Sequence, residues 1–196
     1  MIKSISILLD ENNTYANPAM KVRRMVDSGV LFPVVRGLYE TDAETPGYCL
    51  ASAIYGPSYL SFEFALAYHS LIPEAVRVFT CATFEKKKRK IYKTLFGTFT
   101  YRDVPSAAYP YGVKLKSENG YSIAIATPEK ALCDLLYTIS PAGNTGELES
   151  LLFDDLRIGR DGFGNLNKEE LSELAGLYCT KNHRLLQSFI RRKLYE

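Results

Sequence analysis

Apolar residues near the start of the chain recur at helical spacing. Ile2, Ile5, Leu8 and Leu9 predict a short first helix. A second helix begins at Asn17-Pro18, where asparagine caps the first turn and proline suits the first helical position. It runs to Ser28, with Gly29 as its left-handed stop. Ala19, Val22, Met25 and Val26 share its buried face, while Lys21, Arg24 and Ser28 lie on the far side. Arg23 and Asp27, four apart, are spaced to pair. Residues 12–16, between the helices, leave room only for a turn. Residues 30–35 read as a strand, Arg36-Gly37 as a tight turn, and residues 38–41 as a second strand. Helix, turn, helix and hairpin predict a winged helix-turn-helix head over residues 1–45, ending in the polar linker around residues 42–47.

Beyond the linker the pattern changes to a mixture. Phe62, Ala65, Leu66 and His69 share a helical face, with Ser61 as the expected cap and Glu63 at the positive helix end. Residues 77–83, 97–102 and 121–126 read as strands. Residues 85–90 form a charged loop. Thr127-Pro128-Glu129 opens a helix whose stripe is Leu132, Leu135, Leu136 and Ile139. After residues 140–144 the chain reads as helical. Asn167 caps one helix, with Glu170 at capping-box spacing. The last helix combines Leu185, Leu186, Phe189, Ile190 and Leu194 with Arg184, Arg191, Arg192 and Lys193. The glycine-rich residues 159–165 read as a flexible loop. The expected fold class is α+β: a winged head, then a mixed α/β domain over residues 46–196, α/β over 46–140 and helical over 145–196.

Composition is consistent with this. The 196 residues are 46% hydrophobic and 23% charged, which suits one globular domain or a small module plus a larger one. No apolar run approaches the roughly 18 residues of a membrane span, and the first ten residues do not read as a signal peptide, so the expected location is cytoplasmic. Cys49, Cys81, Cys133 and Cys179 are scattered, without metal-ligand spacing, and fit small buried hydrophobes. Neither a metal nor a cofactor is called for.

Charge is segregated along the chain. Residues 77–93 hold seven cations against Glu85, and residues 144–173 hold eight acids against three cations. Such segregation prepares one face to meet a polyanion. A helix fits the major groove of DNA, so Lys21, Arg24 and Ser28 become groove-facing candidates and Arg36 at the hairpin tip a phosphate contact. Lys86, Lys87, Lys88, Arg89 and Lys90 would add salt-sensitive, sequence-blind affinity, the alternative being a solvated loop. His69 reads as a hydrogen-bonded helix-end residue rather than a base. Lys130 and Asp134 are spaced to pair, and Glu129 suits the first turn of its helix. No nucleophile elbow, phosphate loop, dinucleotide fingerprint or zinc-protease motif is present, so no catalytic residue is assigned.

Four segments carry a resemblance. They are Tyr15-Ala16-Asn17-Pro18 through Arg36-Gly37-Leu38-Tyr39; Gly56-Pro57-Ser58-Tyr59-Leu60-Ser61-Phe62-Glu63 through His69-Ser70-Leu71-Ile72-Pro73; Ala126-Thr127-Pro128-Glu129-Lys130-Ala131-Leu132-Cys133-Asp134-Leu135; and Asp155-Leu156-Arg157-Ile158. In this order they resemble the AbiEi antitoxin family of type IV, abortive-infection toxin–antitoxin systems. The chain departs from the family at His69-Ser70-Leu71, where the family has glycine in the middle. The resemblance implies a winged head that represses its own promoter at repeated sites; paired half-sites are common for winged helices, so a monomer or dimer on DNA is expected. It also implies a second domain that counteracts a nucleotidyltransferase toxin without forming a stable complex with it. Two other readings stand beside this one: an orphan transcriptional regulator, and a protein-interaction module that does not bind DNA.

Overall fold

The computed structural model describes residues 1–194; the side chains of Lys193 and Leu194, assigned above to the last helix, lie outside that description. The architecture is mixed α/β with two sheets. The head comprises β1 (Lys3–Ser4), α1 (Ile5–Glu11), α2 (Pro18–Asp27), β2 (Phe32–Val35) and β3 (Leu38–Glu40). Its strands form an antiparallel sheet in the order β1-β3-β2. Ile2 does not join the first helix as expected. Lys3 and Ser4 pair instead with Tyr39 and Leu38, and Ser4 caps α1 by accepting from the Ile7 N–H. Asn17 caps α2 through the Met20 N–H at 3.0 Å, and Gly29 turns the chain out at φ +71°. Leu8, Val22 and Leu31 form the small core of the head.

The larger sheet follows a short 3-10 turn (Gly47–Leu50) and α3 (Ala51–Ile54). It contains β4 (Tyr59–Leu60), β5 (Val78–Thr83), β6 (Lys90–Thr94), β7 (Gly97–Asp103), β8 (Val113–Glu118) and β9 (Tyr121–Ala126), in the order β6-β7-β5-β4-β9-β8. The β5–β7 and β4–β9 pairs are parallel and the others antiparallel. Helix α4 (Phe62–Tyr68) connects β4 to β5. Strands β6 and β8 were not anticipated, and Lys90 belongs to β6 rather than to a loop. Both are edge strands rich in lysine, and lysine-rich edges resist pairing with other chains while hiding the strand from hydrophobic pattern.

The helical part comprises α5 (Pro128–Thr138), α6 (Thr145–Ser150) with a π-helical turn after it (Leu151–Asp155), α7 (Arg160–Gly164), α8 (Lys168–Gly176) and α9 (Lys181–Leu194). Helix α7 replaces the expected glycine-rich loop because Phe163 is buried against Phe153 and Phe189. Helix α5 is central: every residue from Glu129 to Leu136 is buried, with α4 and β9 as neighbours and α8 and α9 also packed on it. Its expected stripe of leucines is therefore only one side of a helix covered all round.

Two polar side chains of α5 organise this interior. The side chains of Lys130 and Asp134 are 0% exposed and pair at 3.1 Å. The Lys130 ammonium also donates to the Ala108 carbonyl at 2.8 Å and to Tyr178 Oη. Asp134 accepts from Ser61 Oγ at 2.6 Å, Tyr59 Oη at 3.0 Å and Tyr178 Oη. Burial pushes the Tyr59 and Tyr178 hydroxyls well above their ordinary pKa, and the Asp134 charge adds to it, so both remain donors. Burial lowers the Lys130 pKa, against the opposing pull of Asp134.

This network explains why Ser61 does not cap α4. Its hydroxyl is committed to Asp134, and Thr80 substitutes: Thr80 Oγ1 accepts from the Phe64 N–H at 3.0 Å and donates to the Ser61 carbonyl at 2.6 Å. The capping box at Asn167 is similarly completed from elsewhere. Asn167 caps α8 as expected, but its own N–H donates to Glu129 of α5 at 2.9 Å rather than to Glu170.

Removing one member of a buried ion pair leaves the other uncompensated. Lys130→Met and Asp134→Leu should each cost about 3–5 kcal/mol. The double variant should cost well below their sum, because the single-variant penalty is largely an unpaired charge. Urea unfolding of the four proteins measures this, and additive losses would contradict the coupling.

Candidate nucleic-acid interface

At about 100° per residue, Lys21, Arg24 and Ser28 fall on one stripe of α2, on the opposite side from Ala19, Val22, Arg23 and Val26. Arg24 and Ser28 are exposed, but Lys21 is half-buried; of the expected buried face Val22 is buried, Met25 and Val26 are half-buried, and Ala19 is exposed. The Lys21 ammonium lies 4.9 Å from the centre of the Tyr15 ring, which is itself half exposed. Tyr15, in the turn before α2, thus belongs to the surface around Lys21, a role that sequence spacing did not reveal. Met20, 44% exposed, adds an apolar contact on the first turn of the helix. Ser28 is less available, since it sits at the helix end with its hydroxyl donating to the Met25 carbonyl at 3.2 Å. Arg23 and Asp27 form no ion pair, and Arg23 borders a groove beside the hairpin. Arg36 is exposed at the turn between β2 and β3.

The head is joined to the larger unit through Val34 of β2, which lies in the main hydrophobic core, and through two further contacts. Strand β2 packs against β6, the strand into which the basic segment leads. Glu40, fully buried at the end of β3, accepts from Tyr121 Oη of β9, the N-terminal ammonium and the Thr41 N–H. Burial alone would raise the Glu40 pKa, but these hydrogen bonds outweigh it and hold the carboxyl below its ordinary value.

The five cations of the basic segment divide. Lys86 is half-buried; its ammonium donates to the Gly56 carbonyl at 3.1 Å and lies 5.3 Å from the Tyr55 ring centre. Lys87 is anchored by its backbone, whose N–H donates to Asp103 at 2.6 Å, while its side chain stays exposed. Lys88, Arg89 and Lys90 are exposed, and none of them enters an ion pair among the described residues. Four cations are therefore free to meet phosphate and one has a structural post.

Residues with catalytic chemistry are placed otherwise. Asp134 and Lys130 are sealed from solvent, and Glu129 is occupied by Asn167. His69 Nε2 lies 2.8 Å from the Ala126 carbonyl, as a hydrogen-bonded helix-end residue, and burial lowers its pKa. His183 is buried, stacked on Tyr178 at 4.3 Å between ring centres and bonded to the Cys133 carbonyl; burial lowers its pKa to about 4. Cys49, Cys81 and Cys133 are buried, but Cys179 is exposed, against the expectation for all four. No cluster of three or more potential metal ligands occurs among the described residues. No helix among them is long and apolar enough to cross a membrane.

Neither a protein-family model nor a curated protein sequence matches the chain. Among solved structures, the fold is similar to that of the Rv2827c protein from Mycobacterium tuberculosis. The TM-score is 0.61 at 14% identity, over 97% of this chain and 72% of that one. At that identity the likeness is one of fold.

The division of the basic segment is measurable. Replacing Lys88, Arg89 and Lys90 by alanine should leave stability within about 0.5 kcal/mol of the parent. If the segment meets DNA, the slope of log affinity against log salt should fall by about one for each contacting cation. Lys86→Ala should instead lower the unfolding midpoint. An unchanged slope in the triple variant would remove the segment from the interface.

Proposed function

We propose that this chain is a DNA-binding transcriptional autorepressor and the antitoxin of a type IV toxin–antitoxin system of the abortive-infection kind. The carrying observation is the head. Two helices joined by a turn precede a hairpin, and the second helix turns Arg24 to solvent, with Lys21 half-buried over the Tyr15 ring on the same stripe. In this reading the head is a winged helix-turn-helix. Helix α2 enters the major groove, with Lys21 and Arg24 toward base edges and phosphates. Arg36 follows the backbone from the hairpin tip, and Lys87, Lys88, Arg89 and Lys90 add affinity independent of sequence.

The antitoxin part of the reading rests on the AbiEi-like motifs, and their arrangement favours it. The two most specific motifs meet in one buried network: Tyr59 and Ser61 donate to Asp134, the ion-pair partner of Lys130. The departure from the family pattern also has a physical reading. Ser70 has φ +59° at the end of α4, and the Leu71 N–H reaches back to the Leu66 carbonyl at 2.9 Å. Glycine adopts that left-handed position without strain, so a family glycine there and a tolerated serine here describe the same turn. The opposing toxin is a nucleotidyltransferase that the antitoxin counteracts without a stable complex. The operator is a repeated promoter sequence bound by a monomer or a dimer.

An electrophoretic shift on the DNA upstream of the chain's own coding sequence tests the reading. The parent should bind, and Lys21→Ala with Arg24→Ala should weaken binding by at least about tenfold, equivalent to about 1.4 kcal/mol. In cells carrying an adjacent nucleotidyltransferase, the same double variant should still restore growth. Absence of a shift at low salt, or a shift indifferent to both substitutions, defeats the DNA-binding half; failure of the parent to restore growth defeats the antitoxin half.

A further inference from the structure

The head leaves one side of its own core open. Ile5 and Leu9 of α1, Val22 and Val26 of α2, and Val35 and Tyr39 of the hairpin line a cavity of about 540 Å³. Three elements thus turn an apolar stripe into one trough. Arg23 from α2 and Arg36 from the hairpin turn, both exposed, border it, and no acidic residue does. Neither arginine is held in an ion pair among the described residues.

We propose that this trough is a docking site for an acidic amphipathic helix of a partner protein. The shape argues for a helix. Compact helix-turn-helix modules such as the homeodomain pack three helices, whereas this head has two helices against three strands. A third helix laid across α1 and α2 would set apolar residues at i, i+3, i+4 and i+7 against the stripe of Val22 and Val26. The charge argues for acid. Arginines from two different elements flank the apolar floor, so carboxylates on the flanks of the incoming helix would meet both. The same charge argues against a second copy of this chain in a two-fold contact, which would set arginine against arginine.

The placement separates this surface from the nucleic-acid candidate. The trough stripe of α2 lies about 180° around the helix from Lys21 and Arg24. A docked helix therefore leaves those two residues clear and shares only Arg36 with the proposed DNA contact. The docking site does not depend on the DNA-binding reading.

The test uses the full chain and synthetic peptides of about five helical turns. One peptide is an amphipathic leucine/glutamate helix, the second a leucine/lysine counterpart, and the third a scramble of the first. The leucine/glutamate helix should bind at least about tenfold more tightly than the other two, a difference of about 1.4 kcal/mol. Backbone amide signals of residues 5–9, 19–26 and 33–39 should move on binding. Arg23→Glu with Arg36→Glu, both surface changes, should reverse the preference toward the leucine/lysine helix. Equal binding of the scramble, a preference unmoved by charge reversal, or signals moving elsewhere would overturn the proposal. So would a concentration-dependent dimer of the free chain that protects the same residues, because the trough would then hold a second copy.

Discussion

A lysine and an aspartate with no solvent contact sit where the sheet, α4, α5 and the C-terminal helices come together. Charges in such a place are tolerated only when paired and fully hydrogen-bonded. Asp134 meets that condition with Lys130 and three hydroxyl donors, and Lys130 with Asp134, the Ala108 carbonyl and Tyr178. The partners come from β4, the start of α4, the segment after β7 and the turn after α8. Satisfying one ion pair therefore sets the positions of elements remote in sequence. It also displaces local rules: Ser61 gives up its capping position to serve Asp134, and Thr80 takes over the orphaned N–H of Phe64.

The head is built on a different scale. Its core has three fully buried residues, and its hairpin leans on the larger unit through β2 against β6 and through Glu40 at Tyr121. The hairpin thereby meets β6, the strand into which the basic segment leads. The stripe of α2 opposite Lys21 and Arg24 is left with an uncovered apolar trough.

Elements with strong local signals were legible in the chain. Asn17-Pro18, Thr127-Pro128 and Asn167 each cap the helix they announce, because capping is a contact of a few residues with themselves. The lysine-bearing edge strands were hidden, since edges are polar by design and lack the alternation that marks a half-buried strand. Helix α7 was hidden for another reason: its glycines read as a loop, and only the distant partners of Phe163 make it a helix. In the candidate interface, spacing placed Arg24 correctly on the exposed side of α2, but it set half-buried Lys21 apart from the buried face and exposed Ala19 within it. It could not reveal that Tyr15 lies under Lys21, nor that Lys86 is tied to Gly56 while its neighbours are free.

We propose that the Lys21–Arg24 stripe of α2, with the hairpin tip, reads DNA. Mapping backbone amide shifts of the full chain during titration with a duplex from its own upstream region tests this most directly. Shifts should concentrate in residues 15–24 and at Arg36-Gly37, with weaker, salt-sensitive shifts at residues 87–90. Shifts confined to α9 or to the β8 edge, with α2 unmoved, would contradict it.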